Sequence, residues 1–222
     1  MGSISGRQYN SWGCILSRAN VTIVDYGIGN LQAFCNIYSR LNVSINIASK
    51  PDELSLAKRI ILPGVGAFDW AMTRLIDSGL REMLDDLVLR QHVPVLGVCV
   101  GMQMMAKKSE EGLKPGLGWL DAEVKHFNHN NLSMNTYFPH MGWNDVEPAY
   151  QNELFTDIVD PRFYFLHSYY FSPANLTQTL ATTEYGIKFT SAAVSGNIYG
   201  VQFHPEKSHS WGIQLLRNFS EI

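Results

Sequence analysis

The chain has 222 residues, of which 45% are hydrophobic and 17% are charged. This length suits one domain with a sizeable hydrophobic core, and the composition is neither that of a disordered chain nor that of a membrane protein. The formal net charge is -3, and no basic stripe stands out along the sequence. Electrostatics therefore give no reason to expect nucleic acid or an anionic membrane as a partner.

Cysteine usage indicates a reducing compartment. The chain has three cysteines, Cys14, Cys35 and Cys99. Their odd number and the lack of Cys-x-x-Cys spacing argue against a disulfide framework and against a structural zinc site. We therefore expect a cytoplasmic protein without a metal site. We also expect no cofactor.

The first segment of the chain, residues 1–20, has no clear hydrophobic periodicity. It also lacks the long apolar stretch of a signal peptide. We expect it to be an N-terminal extension, either mobile or a remnant of cloning, with the folded domain spanning residues 21–222. No low-complexity linker or internal repeat divides that span, which favours a single domain.

The domain opens with a strand, a glycine turn and a helix. Val21–Val24 is a short β-branched run, and residues 31–41 repeat apolar side chains with helical spacing. Gly27 and Gly29 lie between the two and resemble the start of a dinucleotide-binding loop, but Gln32 stands where its third glycine would fall. The pattern therefore favours a tight turn over a cofactor cradle.

Strands and helices continue to alternate through the first half of the chain. This alternation predicts an α/β fold in three layers, with a mostly parallel central sheet, helices on both faces, and functional groups at the carboxyl ends of the strands. The further predicted strands are 43–48, 60–62 and 95–98, and the predicted helices are 67–78, 80–90 and 102–106.

The second half of the chain has a different pattern. Residues 107–119 are polar and glycine-rich, which predicts a loop. Short aromatic and β-branched runs then predict strands, some of them antiparallel, packed beside the parallel core. These strands are 123–127, 163–171, 179–184, 192–195 and 198–203, and a last helix is predicted at 210–219.

The most informative stretch is the run Gly97-Val98-Cys99-Val100-Gly101, between a predicted strand and a predicted helix. Gly-x-Cys-x-Gly has the form of a nucleophile elbow, in which small residues let the backbone bend sharply and expose the nucleophile. The start of a helix also favours negative charge on the sulfur. The alternative is a buried structural cysteine in a core strand.

A second constellation can complete this site. His204 and Glu206 are two residues apart, so in an extended chain both side chains point to the same side and the carboxylate can hold the imidazole. A nucleophilic thiol needs such a base, and Cys99, His204 and Glu206 together satisfy the chemistry of a triad. The alternatives are a structural histidine and a solvated glutamate, because the sequence alone does not show that the three residues meet.

These motifs resemble those of a known family. The run from Gly97 to Gln103, together with His204-Pro205-Glu206, resembles the class I, triad-type glutamine amidotransferases, which have a flavodoxin-like three-layer fold. Within that family, further segments are similar to the glutaminase subunits of imidazole glycerol phosphate synthase, and the likeness covers residues 21–222. These segments are 24–31, 62–68, 139–144 and 167–169.

The resemblance implies a role for each matching residue. Cys99 would attack the carboxamide of glutamine, His204 would transfer the proton, and Glu206 would orient the imidazole. The oxyanion donors would be the Val100 N–H and the loop at Gly64 and Val65. The two ends of glutamine would be held by Gln103 and by the backbone near His167, Ser168 and Tyr169.

The resemblance also implies a partner. The family pairs with a (β/α)8-barrel cyclase subunit in a heterodimer and passes ammonia to it, with a segment at the interface that here comprises His140, Met141, Trp143 and Asn144. Trp143 would lie near the ammonia path, although an indole that completes the core is the alternative. Residues 209–212 are instead similar to paralogues that serve surface-sugar biosynthesis. A sugar amidotransferase partner and a non-catalytic regulatory module therefore stay open as alternatives.

Overall fold

The computed structural model describes residues 21–127 and 137–222. The predicted N-terminal extension at residues 1–20 lies outside these described residues. Within them, no helix is both long and apolar enough to span a bilayer. The strands are β1 (Val21–Val24), β2 (Ile45–Ala48), β3 (Ile60–Gly64), β4 (Val95–Cys99), β5 (Lys108–Ser109), β6 (Ala122–His126), β7 (His140–Asp145), β8 (Glu147–Pro148), β9 (Arg162–His167), β10 (Tyr169–Pro173), β11 (Thr179–Glu184), β12 (Lys188–Ser195) and β13 (Ile198–Val201).

A parallel core forms one half of the main sheet. Its strand order is β2-β1-β3-β4-β13, and each neighbouring pair is parallel. Both faces of β1, β3 and β4 are fully buried, which explains why these segments read as continuous apolar runs rather than alternating ones. The carboxyl ends of β3, β4 and β13 lie side by side, so loops that follow them meet at one edge.

The sheet continues beyond β13 with antiparallel strands. Strands β12, β10 and β6 follow in order, with the short β5 parallel to β6 at the edge. Strand β11 pairs with β12, and β8 pairs with β11. The strands β7 and β9 form a separate antiparallel pair, here called the β7–β9 hairpin sheet.

Helices cover the sheet on both sides. The Tyr38 hydroxyl on the first helix donates to the Leu216 carbonyl on the last, at 3.2 Å, so these two helices pack together. The Asn30 side chain caps the first helix by accepting from Ala33 N at 3.2 Å. The helices are α1 (Leu31–Arg40), α2 (Pro51–Leu54), α3 (Phe68–Asp77), α4 (Arg81–Asp85), α5 (Val100–Met104) and α6 (His209–Glu221).

The predicted fold class is confirmed, but three predicted elements are wrong in detail. The predicted loop 107–119 contains the short strand β5. The predicted strand 163–171 is two strands, β9 and β10, which belong to different sheets and are separated at Ser168. The run is aromatic on both sides of Ser168, so β propensity gave no sign of the break. The predicted helix 80–90 is the short α4 followed by a π-helical turn, Asp86–Arg90.

Two glycines allow β3, β4 and α5 to approach closely. A Cβ on Gly101 would lie 2.0 Å from the Leu62 carbonyl oxygen, and a Cβ on Gly97 would lie 2.7 Å from Met105 Cε. No side chain fits at either position without moving the backbone of a neighbouring element. The strand-to-helix turn at Cys99 therefore depends on these glycines for packing space.

We predict that Gly101→Ala lowers the free energy of unfolding by about 3 kcal/mol, because the added methyl group overpacks the junction of β3 and α5. Gly79 is a suitable control, since it has a φ of +71° and no heavy atom within 4 Å of an added Cβ. Gly79→Ala should cost only the backbone strain, about 1 kcal/mol. Urea denaturation measures both variants, and equal losses would contradict the packing argument.

Candidate active site

Cys99 lies at the sharp turn between β4 and α5. Its backbone has φ 55° and ψ -112°, a left-handed conformation that is uncommon for a residue other than glycine and costs about 1–3 kcal/mol. The packing of Gly97 and Gly101 holds this conformation in place. As a result, the largely buried sulfur points into a pocket rather than into the core of the sheet.

His204 and Glu206 meet Cys99 because β13 pairs with β4 in parallel. The register places Val201 beside Val98, so the residues after β13 lie next to the end of β4. His204 Nδ1 and Glu206 Oε1 are 2.8 Å apart, and both side chains are almost fully buried. The structure therefore brings together the three residues that the sequence predicts as a triad.

The imidazole of His204 is held in its charged form. Burial lowers the pKa of His204, but the interactions with Cys99 and Glu206 outweigh burial and raise it to about 10. At neutral pH the ring is therefore protonated. A protonated imidazole beside the sulfur can supply a proton to a leaving group.

The pocket at Cys99 has a volume of about 290 Å³. Its wall includes several of the predicted site residues, namely Cys99, Val100, Gln103, His167, Ser168, Tyr169 and His204, together with Val65. A larger depression of about 790 Å³ is lined by residues from Pro148 to Asp157 and by no member of the triad. The smaller pocket is therefore the candidate active site.

The predicted oxyanion residues lie around the turn. Gly64 is opposite Cys99 in the pairing of β3 with β4, and a Cβ on Gly64 would lie 2.2 Å from Gly101 N. Val65 follows directly and lines the pocket. Val100 is the first residue of α5, and the first N–H groups of a helix have no partner within the helix. Backbone N–H donors can therefore reach the pocket from the start of α5 and from the loop that follows β3.

Gln103 has its side-chain nitrogen engaged on two sides. Nε2 donates to the Tyr169 carbonyl at 3.0 Å and to Gln202 Oε1 at 3.1 Å. Gln103 is four residues after Cys99, on the same face of α5, and it lines the pocket. Its Oε1 has no hydrogen-bond partner among the described residues, so it is available to accept from a bound molecule.

Both ring nitrogens of His167, a residue of the pocket wall, have neighbouring partners. One nitrogen contacts the Tyr169 carbonyl at 2.8 Å and the other contacts His140 Nδ1 at 3.0 Å. Burial lowers the pKa of His140 to about 4. Burial, together with the neighbouring His140, lowers the pKa of His167 to about 3. Both rings are therefore neutral near pH 7.

The predicted interface segment is divided by the alternation of β7. Met141 and Trp143 are 64% and 36% exposed, as an interface requires. His140 is only 2% exposed, and Asn144 donates inward to His140 Nε2 at 3.2 Å and to the Glu184 carbonyl at 2.9 Å. The side chains of His140 and Asn144 therefore point away from the face that carries Met141 and Trp143, because successive side chains of a strand point to opposite faces.

Three polar residues of the site, Glu111, Lys207 and Gln202, were not among the residues predicted from the sequence. Glu111 and Lys207 line the pocket, and Glu111 Oε2 accepts from Phe68 N at 2.8 Å. Gln202 is buried beside Cys99 and Gln103. Glu111 lies in a segment that its composition marks only as a loop. One feature of the sequence could have indicated Gln202, since it is a polar residue within the apolar run before His204.

The comparison with known protein families identifies the chain. The sequence profile described as "Glutamine amidotransferase class-I" matches residues 22–221. The chain belongs to the class-I glutamine amidotransferase family. Cys99, His204 and Glu206 all lie within the matched range.

Two sequence relatives of this amidotransferase carry the same name. A protein named imidazole glycerol phosphate synthase subunit HisH from Bdellovibrio bacteriovorus is 54% identical over 203 residues, which cover 91% of this chain and 100% of the relative. The protein of the same name from Leptospira interrogans is 47% identical over 203 residues, with the same coverage. These relatives confirm the predicted resemblance to the subunits of that synthase.

Solved structures of similar shape support the fold of the amidotransferase. One described as a glutamine amidotransferase has a TM-score of 0.69 at 20% identity and covers 90% of this chain and 97% of its own. A glutamine amidotransferase from Thermotoga maritima has a TM-score of 0.60 at 22% identity and covers 84% of this chain and 75% of its own. At these identities the likeness concerns the fold alone.

We predict that the amidotransferase loses stability in mild acid because of His140 and His167. In the unfolded chain each histidine titrates near pH 6.5, whereas the folded pKa values are lowered to about 4 and about 3. The stability they contribute is therefore present above pH 6.5 and lost as the pH falls towards 4, with a slope of about 1.4 kcal/mol per pH unit for each ring.

Urea denaturation at several values between pH 7 and pH 5 measures this slope. His140→Phe keeps a ring beside Phe165 and Tyr185, which stack on His140 at centroid distances of 4.6 and 3.8 Å, and removes one titrating group. The variant should lose less stability on acidification than the unaltered protein. An unchanged pH slope would show that His140 titrates normally in the folded state.

Proposed function

We propose that the chain is the glutaminase subunit of imidazole glycerol phosphate synthase. It would hydrolyse glutamine to glutamate and ammonia and pass the ammonia to a cyclase subunit with a (β/α)8 barrel. The observation that carries this proposal is the buried contact of Cys99, His204 and Glu206 at a pocket of about 290 Å³. The names of the sequence relatives support the same assignment.

In the proposed first step, the Cys99 sulfur attacks the side-chain carboxamide carbon of glutamine. The C–N bond breaks, and the proton held by His204 passes to the leaving nitrogen, so ammonia departs and a γ-glutamyl thioester remains. Glu206 keeps the imidazole oriented through its hydrogen bond of 2.8 Å to Nδ1. The raised pKa of His204 supports this role, since the ring carries the required proton at neutral pH.

In the proposed second step, water cleaves the thioester. His204, now neutral, takes a proton from the water, and the hydroxide attacks the thioester carbon. The C–S bond breaks, glutamate leaves, and the sulfur returns to its starting state. Each step passes through a tetrahedral oxyanion, for which the Val100 N–H and the loop at Gly64 and Val65 are the proposed donors. One such donor contributes about 3 kcal/mol to lowering the barrier.

The proposed binding mode places the two ends of glutamine against different groups. The free Oε1 of Gln103 and the carboxylate of Glu111 are both acceptors, which suits the α-ammonium group of the substrate. The backbone at Ser168 and Tyr169 would hold the α-carboxylate. Glu111 is held in place by Phe68 N at 2.8 Å, so its position does not depend on the substrate.

The exposed face of the β7–β9 hairpin sheet is the proposed docking surface for the cyclase. Met141, Trp143 and Leu166 are exposed on this face, and Leu166 also lines the pocket. A continuous apolar surface beside an active site is typical of an interaction surface. Docking there would cover the pocket, so that ammonia leaves towards the partner. There, ammonia and the nucleotide substrate of the cyclase would give imidazole glycerol phosphate and aminoimidazole-carboxamide ribonucleotide.

We predict that Cys99→Ala abolishes glutamine hydrolysis and leaves partner binding unchanged. Cys35→Ala is the matched control, because Cys35 is a free, half-buried cysteine that does not line the pocket, and it should retain full activity. Glutamate release, measured with the cyclase and its nucleotide present, tests both variants. Hydrolysis that persists in Cys99→Ala would refute the assignment of the nucleophile.

We predict that Trp143→Ala weakens binding of the cyclase about tenfold or more, because a large aromatic side chain near the centre of an interface carries much of the binding energy. Leu176→Ala is the control, since Leu176 is 78% exposed outside the hairpin sheet, and it should bind normally. Titration calorimetry with the cyclase measures both. Offering a sugar amidotransferase in its place tests the alternative partner, and tighter binding to it would overturn the pathway assignment.

A further inference from the structure

The side chain of Gln202 joins the substrate-binding side of the pocket to the sulfur. Gln202 follows β13 directly and is 0% exposed. Its Oε1 accepts from Gln103 Nε2 at 3.1 Å, and its Nε2 lies 3.8 Å from Cys99 Sγ. We propose that Gln202 is a positioning residue that directs an N–H donor at the sulfur during catalysis, an inference that rests on the proposed glutaminase function.

The orientation of this donor follows from a main-chain carbonyl. The Tyr169 carbonyl can only accept, so the atom of Gln103 that lies 3.0 Å from it must be the amide nitrogen. The same nitrogen donates its second proton to Gln202, which therefore presents its oxygen to Gln103. The remaining end of the Gln202 amide, its nitrogen, must face Cys99. Amide orientation, which is otherwise ambiguous, is thus determined here.

The same carbonyl accepts a second hydrogen bond, from His167. Because it only accepts, His167 donates to it from Nδ1, at 2.8 Å, so neutral His167 accepts at Nε2 from His140 Nδ1. His140 in turn accepts at Nε2 from Asn144. Asn144 must present its nitrogen, because that nitrogen also donates to the Glu184 carbonyl at 2.9 Å. Each hydrogen bond between the hairpin sheet and the sulfur therefore has an assigned donor and an assigned acceptor, and the assignments are compatible with one another.

The sulfur has different partners in its two charge states. The Leu166 carbonyl, 3.9 Å from Cys99 Sγ, can accept only from a protonated thiol. The Gln202 N–H can donate to sulfur lone pairs, and hydrogen bonds to charged acceptors are stronger than those to neutral ones. Gln202 therefore favours the anionic sulfur, which is the attacking species in the first step and the leaving group in the second.

This placement predicts a specific kinetic signature. Gln202 is not part of the pocket wall, and without it Gln103 Nε2 keeps its hydrogen bond to the Tyr169 carbonyl at 3.0 Å. Removal of the Gln202 amide should therefore slow the chemical steps and leave substrate binding unchanged. Gln103 contacts Gln202 and also lines the pocket. Removal of the Gln103 side chain should therefore slow the chemical steps and weaken substrate binding. A purely structural role for Gln202 would not separate kcat from KM in this way.

The decisive variant is Gln202→Met, which keeps the length of the side chain and removes both polar atoms. The matched control is Ser191→Ala. Ser191 is 0% exposed, its carbonyl pairs with Gln202 N at 2.8 Å, and its hydroxyl has no partner among the described residues. The control thus alters an equally buried neighbour without removing a hydrogen bond. Gln202→Leu serves in place of the first variant if thermal melting shows that it does not fold.

Two measurements are made on each protein. With the cyclase and its nucleotide present, Gln202→Met should lower kcat about tenfold, the loss expected for one hydrogen bond to a charged group, with KM within about twofold of the starting value. Alkylation of Cys99 by iodoacetamide, followed by peptide mass mapping in the absence of glutamine, should slow to a similar extent. Ser191→Ala should change neither.

The outcomes separate this inference from the proposed function. If Gln202→Met behaves like Ser191→Ala in both assays, or raises KM without lowering kcat, the positioning role is overturned. If the unaltered protein releases no glutamate with its partner while alkylation still slows in Gln202→Met, the contact with the sulfur stands and the proposed function fails. Loss of kcat and of alkylation rate together, with KM unchanged, supports both.

Discussion

The parallel pairing of β4 with β13 is the constraint on which the site depends. Cys99 and Gln202 are separated by 103 positions in the chain, and the register of Val98 with Val201 makes their neighbourhoods adjacent. Since parallel strands end at the same edge of a sheet, the nucleophile at the end of one and the histidine after the other come together without any long loop. A shift of this register would separate the triad.

Tight packing and buried polar groups then fix the geometry that this pairing brings about. The left-handed backbone of Cys99 is unfavourable by itself, and it persists because Gly97 and Gly101 let α5 lie directly against β3 and β4. The buried polar side chains around it form hydrogen bonds with mutually compatible donors and acceptors, from Asn144 to the sulfur, with the Tyr169 carbonyl accepting from both His167 and Gln103. The site is therefore rigid on its core side, and the hairpin sheet that faces the proposed partner belongs to the same hydrogen-bond network.

Sequence patterns predicted the parts of the molecule that local rules determine. The buried run at Val21–Val24 and the Gly-x-Cys-x-Gly turn have strong local signals, and the structure has a strand and a sharp turn there. The division of the aromatic run at Ser168, the inward direction of His140 and the contribution of Glu111 depend on tertiary contacts. The hydrophobic periodicity of the segments that contain these residues does not indicate which sheet or pocket the residues join.

The central claim is that Cys99 forms a covalent bond with the substrate, and trapping that intermediate tests it most directly. The protein, with its cyclase partner, would be mixed with glutamine, quenched in acid during turnover and mapped by peptide mass spectrometry. The account predicts a γ-glutamyl group on the peptide that contains Cys99, and none in the Cys99→Ala variant. Turnover without any adduct, or an adduct on Cys14 or Cys35 instead, would contradict it.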